Sequence, residues 1–291
     1  MTQPNRPTLF VSDIDGTLLR DDRTLSDFTR ETLNGLIDRG LLFTVASARS
    51  ITSIRPLLRG LRLTLPVIEF NGAFLTDFST GEHYSTFSIP HDIATSCIRA
   101  ITETGGSPFV STVAAGTDFL SYGEITNDGM RWYLSDRTEA ADPRLRNVAD
   151  TLECLAEDVV CFTVIEREPL AHAIRDAVRT VGSGLIETNL SAHRYSPEWW
   201  WLTVHSGDAR KDRAVARLAE HAGLRDVRVV AFGDDVNDIA MIALADTGVA
   251  VRNAHPDVIR AADHVIGSNE QDAVADYIAR EFDRSCALDP A

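Results

Sequence analysis

Thr8-Leu9-Phe10-Val11-Ser12-Asp13-Ile14-Asp15-Gly16-Thr17-Leu18 is the stretch on which the reading of the chain turns. Leu9 to Ser12 is a short apolar run without polar alternation, which predicts a strand covered on both faces, as in a parallel sheet. Asp13 and Asp15 follow it directly, so both carboxylates fall at the carboxyl end of that strand, where α/β sheets bind ligands. Two acids this close ionise together beside a cation, and a hard divalent ion such as Mg2+ takes oxygen ligands. An EF-hand loop would need Glu at its twelfth position, which is Thr24 here, so that reading fails.

Working outward, Leu25, Phe28, Leu33, Leu36 and Ile37 recur at helical spacing and predict a helix over 24–39 that closes at Gly40. Apolar runs at 41–46 and 67–70 predict two more buried strands. After Lys211 the pattern returns, with a helix over 212–221, a strand at 227–232, a helix over 238–244 and a strand at 248–251. The two ends therefore form one α/β domain, residues 1–89 with 197–291. Between them, 90–196 has its own rhythm: helices over 91–104 and 170–181, and strands at 109–113, 117–122, 159–165 and 185–188. These predict a second, inserted α/β domain. Trp199, Trp200 and Trp201 are expected to pack just ahead of the strand that returns to the core, with stacking on a sugar as the alternative.

A second acid cluster, Gly233-Asp234-Asp235-Val236-Asn237-Asp238, follows the 229–232 run. Alone it reads equally as helix capping, for which Asp and Asn are suited. Together with Asp13 and Asp15 it reads as a site, because both clusters would project from strand ends on one edge of one sheet. Ser47-Ala48-Arg49 after the second strand offers a hydroxyl and backbone N–H groups to an anion. Lys211 is a compact positive charge suited to a phosphate oxygen.

The composition narrows the partners. The chain has 291 residues, 44% of them apolar, with 43 acidic and 28 basic side chains and a formal charge of −15. That balance argues against nucleic acid and against anionic membrane surfaces, both of which need clustered Lys and Arg. No apolar run reaches the roughly 18 residues of a membrane span, and the opening residues lack a signal-peptide core, so a cytoplasmic protein is expected. Cys97, Cys154, Cys161 and Cys286 form no CxxC pair and read as small buried hydrophobes. The histidines form no HxxxH pair, Gly182-Ser183-Gly184 lacks the third glycine of a dinucleotide fingerprint, and no GxxxxGK segment occurs.

The order of the four elements resembles that of the haloacid dehalogenase superfamily, and within it the Cof-like phosphatases, over nearly the whole chain. DIDGTL is similar to the family's first motif, Ser47 to its second, Lys211 to its third and GDDVND to its fourth. Asn71-Gly72 and the 248–254 segment are also similar to family segments. The second motif departs from the usual Thr-Gly-Arg, with Ala48 in place of glycine.

The resemblance implies a Rossmann-like parallel-sheet core with an inserted α/β cap of type C2B. Only 31 residues separate Asp15 from Ser47 whereas 163 separate Ser47 from Lys211, which puts the cap in the second interval. It implies a Mg2+-dependent phosphatase acting on a small phosphorylated metabolite, a sugar phosphate above all. Asp13 would be the nucleophile and Asp15 the general acid and base. Asp13, the Asp15 carbonyl and Asp234 would hold the metal. Ser47, Ala48 and Lys211 would hold phosphate, Asn237 would contact phosphate or support the groups that do, and Asp238 would orient Lys211 or a metal-bound water. Arg131, Trp132 and Arg144 are candidate specificity contributors from the cap. A phosphomannomutase-like phosphotransferase and a non-catalytic binding protein of the same fold are the alternatives. Nothing in the sequence bears on oligomeric state.

Overall fold

The computed structural model describes residues 6–182, 184–193 and 196–287. In chain order the first part runs β1 (Thr8–Ser12), α1 (Asp27–Ile37), β2 (Leu42–Val45), α2 (Ile51–Leu57), β3 (Val67–Glu69), β4 (Phe74–Thr76) and β5 (His83–Thr86). There follow α3 (His91–Glu103), β6 (Phe109–Ala114), β7 (Thr117–Tyr122), α4 (Asp128–Glu139), β8 (Leu145–Asn147), β9 (Asp158–Glu166), α5 (Glu168–Gly182), β10 (Ile186–His193) and β11 (Ser196–Ser206). The last part is α6 (Lys211–His221), β12 (Arg228–Gly233), α7 (Ile239–Leu244), β13 (Thr247–Ala250), α8 (Pro256–Ala261), β14 (His264–Val265) and α9 (Ala273–Ala287).

The chain divides into two compact units, Met1–Ser85 with Arg210–Ala291, and Thr86–Ala209. In the first, a five-stranded parallel sheet has the order β14-β13-β12-β1-β2. A single parallel bridge, Ala46 to Ile68, carries the run on from β2 to β3. The apolar runs lack alternation because both faces of this sheet are covered. Phe10, Phe43, Val45 and Phe232 pack with Leu33 of α1 and Ile278 of α9 on one face. Leu9, Val11 and Ala231 pack with Val215 and Leu218 of α6 and Met241 of α7 on the other. Neighbouring β1 residues thus serve opposite layers, as the two-residue period of a strand requires.

The inserted unit is built on a six-stranded sheet of order β10-β11-β9-β6-β7-β8, antiparallel except where β7 meets β8. Ile98 and Ile101 of α3 and Ile174 and Val178 of α5 close one face over Val110, Phe162 and Val204. Met130 and Tyr133 of α4 close the other against Phe109, Ile165, Trp199 and Trp201.

Two expectations are corrected here. The tryptophans do not precede a strand returning to the first unit; they lie inside β11, where Trp200 and Trp201 pair with β9 and β10. The division accordingly falls after Ala209 rather than at 196. From Trp200 to His205 this strand is paired on both sides, to β9 and β10, which holds it in the insert's sheet, a pairing that periodicity does not reveal.

Cys97, Cys154 and Cys161 are buried free thiols, and burial pushes the Cys97 thiol up to about 11 and the Cys161 thiol up to about 12. The Cys286 side chain lies outside the described residues. Among the described residues no helix is long and apolar enough to cross a membrane.

Candidate active site

The register of three strands aligns their carboxyl ends. Ser12 stands opposite Val45 of β2 and Phe232 of β12. One residue on, the Asp13 N–H donates to the Phe232 carbonyl at 2.9 Å, and the Ala46 N–H donates to the Ser12 carbonyl at 2.9 Å. Asp13, Ser47 and Asp234 therefore leave the same sheet edge within one residue of register. The chain turns over Ile14–Leu18, where the Asn253 amide donates to the Gly16 carbonyl at 2.7 Å and the Thr17 hydroxyl donates to Asp234 Oδ1 at 3.0 Å. These bonds tie the first acid motif to the last.

At the centre, one oxygen from each of Asp13, Asp234 and Asp238 lies within 4.8 Å of the others, and all three residues are buried. Lys211 opens α6 and is only 2% exposed. Its Nζ donates to Asp13 Oδ1 at 2.5 Å and to Asp238 Oδ1 at 2.7 Å. The other oxygen of Asp238 accepts the N–H groups of Asp234 at 3.0 Å and Asp235 at 3.1 Å. Asp238 is thus saturated by the protein and brackets Lys211 to the 233–238 turn.

The electrostatics follow from this burial. Desolvation pushes the Asp13 carboxyl well above the usual carboxylate range, against the pull of Lys211, and Asp238, Asp234 and Asp15 add to the rise. Burial alone would depress the Lys211 ammonium, but the Asp13 and Asp238 carboxylates outweigh it and raise it. One ammonium faces three carboxylates, a cluster short of positive charge and composed of hard oxygen donors. That donor set fits Mg2+.

Asp15 has a different environment. Burial acts to raise its carboxyl, yet the Arg49 guanidinium outweighs it and holds Asp15 below the ordinary value. Ser47 is buried, with its Oγ accepting the Arg49 N–H at 3.1 Å, while Ala48 is exposed at the loop tip. The Asn237 amide donates to Asn71 Oδ1 at 2.9 Å.

Asp13, Lys211, Asp234 and Asp238 are thus brought together, with Asp15, Ser47 and Asn237 on the loops around the same sheet edge. Arg49, Thr17 and Asn71 have no role that residue type or spacing predicts, although each stands inside a motif quoted above. Arg144, a candidate for specificity, is corrected: it is buried, and Asp142 chelates it through Nε at 2.9 Å and Nη2 at 2.7 Å, which commits its guanidinium to structure. The signal was the acid two residues earlier. Trp132 is 41% exposed and Arg131 is exposed beside it.

A buried aspartate at the end of the first strand, a lysine opening a later helix and an acidic turn after β12 define a hydrolase of the haloacid dehalogenase type. A profile of the haloacid dehalogenase-like hydrolase family matches residues 10–278, and the chain belongs to that family. It is 28% identical over 283 residues to the 5-amino-6-(5-phospho-D-ribitylamino)uracil phosphatase YitU of Bacillus subtilis, covering 95% of this chain and 98% of the relative. It is 28% identical over 269 residues to the pyridoxal phosphate phosphatase YbhA of Escherichia coli, covering 91% and 95%. Among solved structures, a haloacid dehalogenase-like hydrolase from Bacteroides thetaiotaomicron shares the fold with a TM-score of 0.75 at 23% identity, over 95% of this chain and all of that one. The chain is an enzyme of the family's phosphatase class.

Proposed function

We propose that this chain is a Mg2+-dependent phosphatase that releases inorganic phosphate from a small phosphorylated metabolite, sugar phosphates first among them, through an aspartyl-phosphate on Asp13. The observation that carries the reading is the buried Lys211 ammonium held between Asp13 and Asp238, with Asp234 in the same cluster. A binding module has no use for a buried nucleophile beside a second acid, Asp15, that is oriented separately.

In the first step an Asp13 oxygen attacks phosphorus, the bond from phosphorus to the ester oxygen breaks, and Asp15, protonated once the bound phosphate dianion offsets the Arg49 charge, gives its proton to the departing oxygen. In the second, Asp15 takes a proton from water as the water oxygen attacks phosphorus. The acyl phosphate bond breaks, and Asp13 is regenerated as phosphate leaves. Lys211, Ser47, the loop backbone at Ala48 and Asn237 hold the phosphoryl oxygens as charge spreads over them. Asp238 keeps Lys211 aimed at that position. Mg2+ would be held by the Asp13 and Asp234 carboxylates and the Asp15 carbonyl, and would supply charge compensation for the phosphoryl oxygens. The insertion, read from the sequence as a cap, is assigned the leaving group.

A second reading of the organic part, a planar heterocycle in place of a sugar, is favoured by one feature of the inserted unit. Trp132 is exposed and meets Trp201 edge-on with ring centroids 6.0 Å apart. Such surfaces take flat rings. Both relatives described above are phosphatases named for ring-bearing phosphates.

The test is phosphate release from a panel of sugar phosphates and heterocycle phosphates with Mg2+ and with EDTA. Metal-dependent release from one class over the other, with no bisphosphate activator required, is expected. Release only when a second sugar is present as acceptor would replace the phosphatase with a phosphotransferase.

A further inference from the structure

Residues 69–72 touch each loop assigned to phosphate. The Glu69 carboxylate accepts the Ile51 N–H, the Phe70 N–H donates to the Arg49 carbonyl at 3.2 Å, and the Asn71 N–H donates to the Ser47 carbonyl at 2.9 Å. Three successive residues thereby pin Ser47 and Arg49 of the loop and Ile51, the first residue of α2. After Glu69, which is extended, this backbone is left-handed, with φ of 45° at Phe70, 57° at Asn71 and 110° at Gly72. That region is unfavourable for Phe, tolerated by Asn and open to Gly, and two such non-glycine residues in succession persist where surrounding bonds hold them.

The same run reaches two other elements. A Cβ on Gly72 would stand 2.6 Å from the Arg210 carbonyl oxygen and 3.0 Å from Ala214 Cβ, so the first turn of α6, which carries Lys211, rests directly on this glycine. The Asn71 side chain accepts the Asn237 amide at 2.9 Å. Asn71 is itself only 4% exposed.

We propose that Asn71 is a positioning residue for the phosphoryl group: its backbone N–H holds the Ser47 loop and its side-chain oxygen holds Asn237 on the opposite loop, from a left-handed run that also seats the Lys211 helix. The proposal rests on the phosphatase reading for what Ser47, Asn237 and Lys211 hold. Asn71 itself acts through them.

Asn71→Gly keeps the left-handed backbone and its N–H and deletes the acceptor. Inorganic phosphate affinity in the presence of Mg2+ is measured by calorimetry, and KM and kcat with p-nitrophenyl phosphate, for wild type, N71G, N237A and the double variant. N71G is expected to weaken phosphate and raise KM by about tenfold, the loss of one hydrogen bond serving a charged ligand, with kcat changed by less than about threefold. In the N237A background, N71G should add less than about twofold, because the bond is already gone. Equal factors in both backgrounds would overturn the proposal, as would an N71G variant that unfolds or loses thermal stability with phosphate affinity unchanged. N237A reads the same bond from its half-buried end, and unchanged phosphate affinity in that variant overturns the proposal whatever N71G does. A wild type that binds phosphate but hydrolyses no ester overturns the phosphatase reading alone, since the calorimetric cycle still decides the role of Asn71.

Discussion

The Arg49 guanidinium grips both carboxylate oxygens of Asp15, Nε to Oδ2 at 2.6 Å and Nη2 to Oδ1 at 2.7 Å. A bidentate pair fixes orientation as well as charge. Ser47 and Arg49 share one loop, so the loop assigned to phosphate also aims the carboxyl assigned to proton transfer. Arg49→Met frees Asp15 to rotate. Turnover of an alkyl phosphate, whose leaving oxygen needs the proton, is expected to fall at least about tenfold further than turnover of p-nitrophenyl phosphate, which needs little protonation. Equal losses on both esters would remove Arg49 from proton transfer.

Asp13→Asn replaces a buried carboxylate with an amide, a poor nucleophile and a poorer metal ligand. Residual turnover is expected below about 1% of wild type on a substrate the wild type hydrolyses. Mg2+ should raise the thermal midpoint of the wild type and leave that of D13N unchanged. Ca2+ takes more ligands at longer distances and should bind without supporting turnover, since attack geometry tolerates little displacement. Equal rates with both ions would refute a role for the ion in fixing that geometry.

Gly233 is the last residue of β12, and a Cβ there would stand 2.5 Å from Asp238 Cβ. Gly233→Ala should push Asp238 away from Lys211 and cost about 1–3 kcal/mol of stability, the usual range for overpacking a tight site. A lowered urea midpoint together with a fall in kcat is expected. A full loss of kcat at unchanged midpoint would mean that Asp238 moves without strain.

His205 lies in β11 with no exposure, and burial pushes its imidazole down to about 4, against a backbone hydrogen bond involving Val160 that raises it. Between about pH 6.5 and pH 4 the unfolded chain binds a proton that the folded unit refuses. Stability therefore falls as pH drops through that window and is unaffected by this group above it, a loss on the order of 3 kcal/mol once complete. All four tryptophans, Trp132 and Trp199 to Trp201, belong to the inserted unit, so their fluorescence follows its unfolding alone. His205→Met should flatten the dependence of the midpoint on pH between 7 and 4. An equally steep dependence in the variant would assign the acid sensitivity to another group.

Local order along the chain sets the class of the fold and singles out the acids that the structure gathers at one sheet edge. Unbroken apolar runs such as Leu9 to Val11 mark strands buried on both faces, and acids placed directly after them can only emerge at the sheet edge, so Asp13 and Asp234 were legible from local order. The 233–238 run taken alone reads equally as capping, and in the structure it serves both ends, since Asp235 and Asp238 also form a capping box. Tertiary structure decided the pairings across long sequence separations. Arg49 meets Asp15, Asn71 meets Asn237 and Thr17 meets Asp234 because strand register, set by the sheet as a whole, brings their loops level. The same non-local pairing placed Trp199 to Trp201 in the inserted sheet and moved the unit boundary to Ala209. Hydrophobic periodicity records which face a residue buries. The strand it lies beside is chosen by ladder hydrogen bonds that any backbone can make, and those leave no signature in residue type.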